Sequence, residues 1–583
     1  MKTKNLLLSA VIASLAVTGF SELSAKTIYY IKANGTGNGS SWSAAAGNIQ
    51  NMIDKAAAGD EVWVAKGTYY PTNQTDASDE LSKTFLMKNG VNLYGGFAGN
   101  ETSIDSRAKS DKDGDGKVEA WEFTNETVLS GKLDGTADVW TKSVFNTNIW
   151  RWTITGSKKN SYTVVTCPET ITTTTYLDGL TVSDGYITQY QKTAGIYSEG
   201  QTIIQKCIIS YNAGTNDGRK YSGVYNLKGI VTDCFIYHNS GVGIYNGTGT
   251  ISNCTIDSNN NYTTDTGNSG GGVSNISGNT INCKITNNAV VTFYEAIQNS
   301  VGYTIYAWGG GVYNNTGKIE KCIVENNIAY CYNGSYLYAI GHNANSAGGG
   351  IYNNTNGVIS NCCVFNNKVA ADVYTTNVGI ANPSGGGVYC QTGSSIYNST
   401  VINNNSFNIA SGNRYNCIID STGKYQNFIH PTSFASTAST DAQYAELLQA
   451  DWHLKAGSQY IDAGTLTDLP DWLTSGTDLA GKPRTHNGKI SLGAYEYDSS
   501  YTGINELQPS NIAVFPNPAT DYITIAGATA SRITVSDLSG RVVYQQAMTS
   551  DKETIAVSSW AKGIYLVMVQ TGNNKTVSKI VKK

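Results

Sequence analysis

Residues 310–327 read GGVYNNTGKIEKCIVENN, and residues 349–367 read GGIYNNTNGVISNCCVFNN. Each stretch contains three short apolar runs: Gly-apolar-Tyr-Asn, a run centred on one Ile or Val, and Cys-x-apolar. Gly and Asn residues that favour turns separate the runs, and the three-four apolar spacing of a helix is missing. Three short strands per repeat are therefore predicted, which is one coil of a parallel β-helix.

The same pattern recurs from about residue 194 to residue 405, in the stretches 223–239, 243–259, 271–288 and 386–404. Coils stacked in register, about 4.8 Å apart, predict an inward ladder of Val224, Ile244, Val273, Val312, Ile351 and Val388. The third run of each repeat ends at an asparagine: Asn239, Asn259, Asn288, Asn327, Asn367 and Asn404. We expect these asparagines to adopt the left-handed backbone of a tight corner and to bond to the next coil.

Six of the eleven cysteines occupy one slot of the repeat, Cys-x-apolar-x-x-Asn: Cys207, Cys234, Cys254, Cys283, Cys322 and Cys362. Ser399 fills that slot in the next repeat. A small residue in each coil predicts a buried ladder of free thiols rather than disulfides. Five further cysteines lie outside this slot, and their pairing is left open: Cys167, Cys331, Cys363, Cys390 and Cys417.

Earlier coils are less regular, with predicted strands within 59–70, 91–99, 126–135 and 176–185. Before them, residues 45–58 place Ile49, Met52 and Ile53 on one helical face, which predicts a helix that covers the first coil.

The first 25 residues have the pattern of an export signal. Lys2 and Lys4 precede a short apolar run from Leu6 to Val17, and Leu23-Ser24-Ala25 is a plausible cleavage site. No later stretch has the length of a membrane span, so no transmembrane segment is expected in the mature chain. Only 14% of residues are charged and the net charge is −4. A basic surface of the kind that binds nucleic acid is therefore not expected.

These features carry a family resemblance over about residues 27–497, within a predicted β-helix domain of 26–500. The stretches TIYYIKANGTGNGSSW, VNLYGGFAGNET and YLDGLTVSDG resemble secreted pectin-lyase-like β-helix proteins, and the GGGVYN units are similar to polymorphic outer-membrane-protein repeats. Residues 451–497 resemble the closing motif of the choice-of-anchor Q group of surface proteins. This resemblance implies a right-handed parallel β-helix, a scaffold that carries lyases, hydrolases, adhesins and passive stalks alike.

Residues 504–583 differ in character, with alternating strands and turn signals at Asn517-Pro518 and Ser539-Gly540. This spacing predicts a small antiparallel Ig-like sandwich. The stretch resembles the type A C-terminal sorting domain of type IX (Por) secretion, through Phe515 to Pro518, Asp537 to Arg541, Gly563 to Tyr565 and the basic end Lys579 to Lys583. The resemblance implies contact with the secretion machinery and delivery to the bacterial cell surface or outer membrane.

Residues 111–122 fit the full calcium loop pattern D-x-D-x-D-G-x5-E. The predicted ligand set is Asp111, Asp113, Asp115, the Lys117 carbonyl, Glu119 and Glu122, with Gly116 at the sharp turn. These carboxylates would repel one another without a cation, so we expect a structural Ca²⁺; the alternative is a solvated acidic loop.

Two groups of aromatic residues are candidate contact surfaces. A tyrosine follows the inward residue in most coils, which predicts an outward stack of Tyr197, Tyr225, Tyr245, Tyr313, Tyr352 and Tyr389, broken at Ser274. Insertions at 289–308 and 328–347 should emerge one above the other and bring together Phe293, Tyr294, Tyr303, Tyr306, Trp308, Tyr330, Tyr332, Tyr336 and Tyr338. Such a cluster suits sugar rings, and a small satellite core is the alternative.

Charged residues in the repeat strands are scattered, among them Asp233, Asp257, Lys284 and Glu325, and the five histidines show no ligand spacing. A lyase needs a cation and a base, and a glycosidase needs two placed carboxylates. The sequence therefore favours a non-enzymatic surface adhesin or glycan-contacting protein, with a polysaccharide lyase or glycoside hydrolase as the alternative.

Overall fold

The computed structural model describes residues 26–583 except 114–116, 136–137, 147–148, 156–158, 188–193, 215–220, 297–303, 336–342, 375–379, 407, 421–427, 431–450, 468, 500–512, 527–531, 538–541, 549, 551 and 572–573. The predicted export signal lies outside the described residues. The chain divides into two compact units, Met1–Tyr497 and Asp498–Lys583.

The large unit is a right-handed parallel β-helix, as predicted, with one sheet for each strand of the repeat. The first sheet contains Asn73–Gln74, Lys83–Leu86, Val165–Cys167, Ile196–Ser198, Tyr221–Asn226, Val242–Asn246, Val273–Asn275, Val312–Asn314, Ile351–Asn353, Val388–Cys390 and Ile409–Ala410. The second sheet contains Ile28–Ile31, Glu61–Ala65, Asn92–Phe97, Thr175–Asp178, Thr202–Gln205, Ile230–Thr232, Thr250–Ser252, Asn279–Ile281, Lys318–Glu320, Val358–Ser360, Ser395–Tyr397 and Asn413–Tyr415. The third sheet contains Gly67–Tyr69, Thr127–Ser130, Thr181–Ser183, Ile208–Ser210, Phe235–Tyr237, Thr255–Asp257, Lys284–Thr286, Ile323–Glu325, Cys363–Phe365, Thr400–Ile402 and Ile418–Asp420.

The predicted inward ladder is confirmed in register. Val224 pairs with Ile244, Ile244 with Val273, and the series continues to Val388. All six side chains are fully buried in one core that runs along the large unit. The six predicted ladder cysteines lie in the same core, and all eleven cysteines of the chain are free thiols.

The asparagine corners differ from the prediction in one respect. The left-handed residue is the one before each ladder asparagine: His238, Ser258, Asn287, Asn326, Asn366 and Asn403. The ladder asparagine itself turns its side chain inward, so that Asn288 Nδ2 donates to Asn327 Oδ1 at 3.1 Å and to the Ile256 carbonyl at 2.9 Å. These hydrogen bonds confirm the predicted bonding between coils. The inward side chain also satisfies backbone carbonyls that are buried at the corner.

A second asparagine ladder ends the strands of the first sheet. Asn246 Nδ2 donates to Asn275 Oδ1 at 2.8 Å, and Asn275 Nδ2 donates to Asn314 Oδ1 at 2.8 Å. Each also bonds to a carbonyl of its own turn, as Asn275 does with Gly278 at 2.9 Å. Both ladders therefore join successive coils at their corners.

The predicted covering helix spans Ile49–Lys55 and buries Ile49 and Ile53 against the first coil, with Met52 packed at its edge. Among the described residues, a further α-helix spans Asp471–Thr474, and 3-10 turns occur at Glu80–Ser82 and Ile104–Ser106.

The insertions continue the coils as two extra parallel sheets. Side sheet 1 contains Asn260–Thr263, Ala289–Ala296, Ile328–Ser335 and Lys368–Tyr374. Side sheet 2 contains Gly267–Ser269, Thr304–Trp308, Asn343–Ala347 and Ile380–Ser384. Small apolar residues fill the space between them, among them Val290, Ala307 and Ala329.

Three smaller pairings complete the large unit. The antiparallel strands Val139–Asn146 and Ile149–Thr155 form what we call the tryptophan hairpin, because Trp140, Trp150 and Trp152 lie on it. Short pairs join Tyr186–Ile187 with Ala213–Gly214 and Phe428–His430 with Asp451–Leu454. Residues 451–497 pack on the outer face of the last coils of the third sheet, where the rings of Phe365 and Trp452 lie 5.4 Å apart.

The second unit is an antiparallel β-sandwich, as predicted. One sheet contains Ala513–Phe515, Tyr522–Ala526 and Lys552–Ala556, and the other contains Val542–Ala547, Arg532–Asp537, Gly563–Thr571 and Asn574–Lys582. Its core is separate and includes Ile523, Val535 and Val567.

Candidate calcium loop and ring-stacking surfaces

The predicted calcium loop brings three of its carboxylates together. Oxygen atoms of Asp111, Asp113 and Glu122 all lie within 4.8 Å of one another. Asp111 and Asp113 are exposed, whereas Glu122 is buried. Asp115 lies outside the described residues, Lys117 is exposed and Glu119 is half-buried. Hard oxygen ligands that converge in this way fit Ca²⁺.

Backbone hydrogen bonds hold Glu122 in place. The Lys112 N–H donates to Glu122 Oε1 at 2.8 Å, and the Glu119 N–H donates to Oε2 at 2.9 Å. Burial opposes ionisation of Glu122, but these backbone donors prevail and hold its pKa below the usual value. The carboxylate is therefore kept charged, as a metal ligand must be.

The loop is closed by an antiparallel bridge between Lys109 and Phe123 instead of the helix pair of an EF-hand. Arg107 anchors the base: its buried guanidinium pairs with Asp178 at 2.7 Å and lies 4.5 Å from the Phe123 ring centroid. The base of the loop is thus fixed to the second sheet.

The outward tyrosine stack is confirmed. The ring centroids of Tyr197 and Tyr225 lie 4.8 Å apart, and those of Tyr225 and Tyr245 also lie 4.8 Å apart. The ring planes of Tyr225 and Tyr245 are nearly parallel. Ser274 interrupts the stack in register with Tyr245 and Tyr313. Beyond it, Tyr313 and Tyr352 lie 5.6 Å apart, and Tyr352 and Tyr389 lie 5.1 Å apart.

The aromatic residues of the insertions do not form one cluster, because alternate residues of a strand face opposite sides. Tyr294 packs at the core between the side sheets. On the opposite face of side sheet 1, Phe293 stacks on Tyr332 at 4.5 Å, with Tyr330 beside them. Tyr303, Tyr336 and Tyr338 lie outside the described residues.

The remaining two aromatic residues, Tyr306 and Trp308, extend the tyrosine stack. The Trp308 ring lies 4.3 Å from Tyr306 and 4.9 Å from Tyr352. The Tyr306 ring lies over Gly267, where an added Cβ would come within 2.2 Å of the ring, so only glycine leaves room for it. We call Tyr306, Trp308, Tyr313, Tyr352 and Tyr389 the Trp308 patch. Its ligand role stays a prediction.

The outer face of the third sheet carries charged and aromatic residues that the sequence analysis did not assign to a site. Asp257, Lys284 and Glu325 occur in successive strands there, and Lys284 Nζ lies 3.5 Å from Glu325 Oε1. The tryptophan hairpin packs beside them, with Trp152 4.8 Å from His238. The period-two alternation of Trp150 and Trp152 is the signal that could have revealed the hairpin.

Comparison with known proteins identifies a family at the C-terminal end of the chain. Residues 513–583 match the family model of the secretion system C-terminal sorting domain. No curated protein matches the chain. Among solved structures, pectate lyase Pel9A is similar at 14% identity and a TM-score of 0.38, over 82% of this chain and 98% of that chain. PorZ, a bacterial surface component of the type-IX secretion system of Porphyromonas gingivalis, is similar at 20% identity and a TM-score of 0.12, over 16% of this chain and 13% of that chain.

Within the described residues, we find no helix with the length and apolar character needed to cross a membrane. The match over residues 513–583 confirms the sorting domain predicted from the motifs at the end of the chain. The chain is therefore a secreted protein of the bacterial cell surface, in which a right-handed parallel β-helix precedes a type IX secretion system C-terminal sorting domain.

Proposed function

We propose that this protein is a non-enzymatic adhesin or glycan-contacting protein of the cell surface, and that the Trp308 patch makes the contact. The observation that supports this function is the continuous stack from Tyr306 through Trp308 to Tyr352 and Tyr389. Partly exposed rings with polar edges suit the apolar faces of sugar rings.

Polar groups beside the rings support a sugar ligand rather than an apolar one. Gln391 Nε2 donates to the Tyr352 hydroxyl at 2.7 Å, which fixes that ring. Tyr306, Trp308, Tyr313 and Tyr389 are each half-exposed, whereas Tyr352 is buried beneath its neighbours. The rings are therefore held in place before a ligand arrives, which lowers the entropy cost of binding.

Binding is favoured over catalysis because the carboxylate that pairs with Lys284 is buried. Glu325 pairs with Lys284, but its side chain is only 3% exposed and cannot reach a polysaccharide. A glycosidase needs two carboxylates that flank the scissile bond. A lyase or hydrolase remains the alternative function, and a screen for reducing sugars and unsaturated products against a polysaccharide panel tests it.

The calcium loop, in this proposal, has a structural role. Asp111, Asp113 and Glu122 would hold the ion together with the Lys117 carbonyl, Asp115 and Glu119. The ion would supply the positive charge that offsets the repulsion between these groups. The loop would then be rigid where it projects from the second sheet.

The experiment uses the full chain and affinity electrophoresis in gels that contain soluble polysaccharides. We expect retardation by at least one polysaccharide, and roughly tenfold weaker binding for Trp308→Ala. Trp472→Ala is the matched control, because Trp472 is an exposed tryptophan outside the patch. Equal binding by both variants, or no retardation by any polysaccharide, contradicts the proposal.

A further inference from the structure

The outer face of the third sheet carries an unbroken strip of rings across one coil. Trp121 stacks on Phe235 at 5.7 Å, and Phe235 stacks on Tyr237 at 4.4 Å. His238 continues the strip at 4.9 Å from Tyr237 and contacts Trp152 at 4.8 Å. Trp150 ends it, 5.4 Å from Trp152. We call these six residues the ring strip.

The strip joins three segments that are far apart in sequence. Trp121 belongs to the calcium loop, Phe235 to His238 belong to one coil, and Trp150 and Trp152 belong to the tryptophan hairpin. All six rings are half-buried, so each packs against the protein on one side and leaves part of its surface to solvent.

Polar residues of the next two coils border the ring strip along the axis of the β-helix, and we call Thr255, Asp257, Lys284 and Thr286 the polar shelf. Thr255 and Asp257 pair in register with Phe235 and Tyr237, and Lys284 and Thr286 follow in the next coil. Thr286 is buried, and its hydroxyl has no hydrogen-bond partner among the described residues.

Charge on the shelf is nearly balanced. Lys284 faces Glu325 at 3.5 Å, and Asp257 accepts a hydrogen bond from Asn287 at 2.8 Å. Lys142 lies over the Trp150 ring at 4.5 Å. Neighbouring donors and acceptors of both signs suit hydroxyl groups better than they suit a chain of like charges.

Beyond the end of the strip, the hairpin forms one wall of an open pocket of about 180 Å³. Its lining combines Trp152, Arg151 and Ser240 with Tyr186. Polar and aromatic groups are therefore also present on the side of the hairpin that faces Tyr186 and Ser240.

From these features, we infer that the ring strip and its shelf form a second saccharide site, which binds a neutral polysaccharide chain lying across the coil from Trp121 to Trp150. The rings stack on the sugar faces, and Asp257 and Lys284, which are both partly exposed, bond to hydroxyl groups. This site is distinct from the Trp308 patch, which lies on the first sheet and side sheet 2.

The test uses the purified full chain with two neutral polysaccharides, laminarin and galactomannan, and two acidic ones, polygalacturonate and alginate. Calorimetry and tryptophan fluorescence measure binding. We expect binding to a neutral polysaccharide, roughly tenfold weaker for Trp150→Ala and for Trp121→Ala. Trp150→Phe keeps a ring at that position and should retain most of the affinity.

Trp308→Ala separates this inference from the proposed function. If Trp308→Ala abolishes binding and the strip variants bind like wild type, the Trp308 patch stands and the second site is overturned. Binding to the acidic polysaccharides alone, or to none of the four, also overturns it. Thermal melting of each variant is compared with that of wild type, so that a loss of binding is not mistaken for a loss of fold. Trp150→Phe and Trp472→Ala should melt like wild type.

Discussion

At the scale of single residues, the coils are joined by buried amides and thiols. Each ladder asparagine bonds to its own coil and to the adjacent coils, as Asn327 does with Glu325, Ile285 and Asn367. The thiol of Cys254 lies 3.2 Å from the Ser252 carbonyl of its own coil and 3.6 Å from the Val231 carbonyl of the preceding coil. A small side chain fits there because the corner beside it is tight.

Asn288→Ala should destabilise the β-helix. The change leaves the carbonyls of Ile256 and Thr286 without their donor, and each unsatisfied buried group costs about 1–3 kcal/mol. Chemical denaturation should therefore show a loss of about 2–5 kcal/mol. Thr248→Ala, at an exposed turn, is the control and should change little. Similar values for the two variants would show that the ladder contributes nothing.

Cys167 and the six ladder cysteines should resist thiol reagents in the native protein, because burial keeps the reagent away from all of them. Burial raises the pKa of Cys167 to about 12 and raises the pKa of Cys254 and Cys322 as well, so little thiolate forms. Mass spectrometry after labelling should find these thiols unmodified in buffer and modified in denaturant. Thr316→Cys, at an exposed turn, should label in both. Disulfides among the ladder cysteines would refute the prediction.

Glu325 should make stability depend on pH. Burial raises its pKa in spite of Lys284, so the folded state disfavours the ionised form. The contribution of Glu325 to the stability of the folded state is complete below the pKa that Glu325 has in the unfolded chain. It is lost as pH rises through the higher pKa of the folded state. Glu325→Gln should therefore gain melting temperature relative to wild type as pH rises over that window. Glu295→Gln, at an exposed position, is the control and should have the melting temperature of wild type at every pH. A difference in melting temperature between Glu325→Gln and wild type that is the same at all pH values would contradict this assignment.

At the scale of elements, the additions to the repeat determine the surfaces. The side sheets extend the coils between Asn260 and Ser384, and the tryptophan hairpin leaves the coil between Thr127–Ser130 and Val165–Cys167. The two side sheets pack against each other through a small apolar core, and the tryptophan hairpin packs beside the third sheet. The candidate contact surfaces therefore lie where an addition meets one of the three sheets.

Calcium should stabilise the first third of the β-helix. Extracellular sites of this type bind with dissociation constants of about 10⁻⁴–10⁻³ M, and saturation at about 100 times that value adds about 2.7 kcal/mol. Chelation should lower the melting temperature or increase proteolysis near residues 111–122. Asp113→Ala combined with Glu122→Ala should remove the difference between calcium and chelator. No heat of binding to the wild type, with identical melting in both buffers, would reduce the motif to a solvated acidic turn.

At the scale of the whole molecule, the two units have separate cores. The long core of the β-helix ends before Asp498, and the sandwich has its own core around Ile523, Val535 and Val567. A unit with its own core can fold alone. Surface delivery and ligand contact can therefore be altered independently.

Deletion of residues 504–583 should leave a folded β-helix in the periplasm, because the sorting domain lies within that segment. Cell fractionation and surface proteolysis measure the location. The control is Trp308→Ala in the full chain, which should reach the surface like wild type. Surface display of the truncated chain at the wild-type level would overturn the assignment of export to this domain.

The sequence by itself determined the fold of both units. In the β-helix, an inward Val or Ile, a Cys slot and a terminal Asn recur in each sequence repeat. Stacked coils bury these residues in one continuous core. The sorting domain and the convergence of Asp111, Asp113 and Glu122 follow from short local motifs, in which ligand or turn positions lie within a few residues.

Only the tertiary structure decided which residues share a surface. Trp121, Phe235 and Trp150 lie in different segments, and no local spacing relates them. The insertion aromatics looked like one cluster, but strand alternation sends Tyr294, Phe293 and Trp308 to three different places. Local periodicity fixes which way a side chain points within its coil, whereas the length and packing of each insertion fix what it meets.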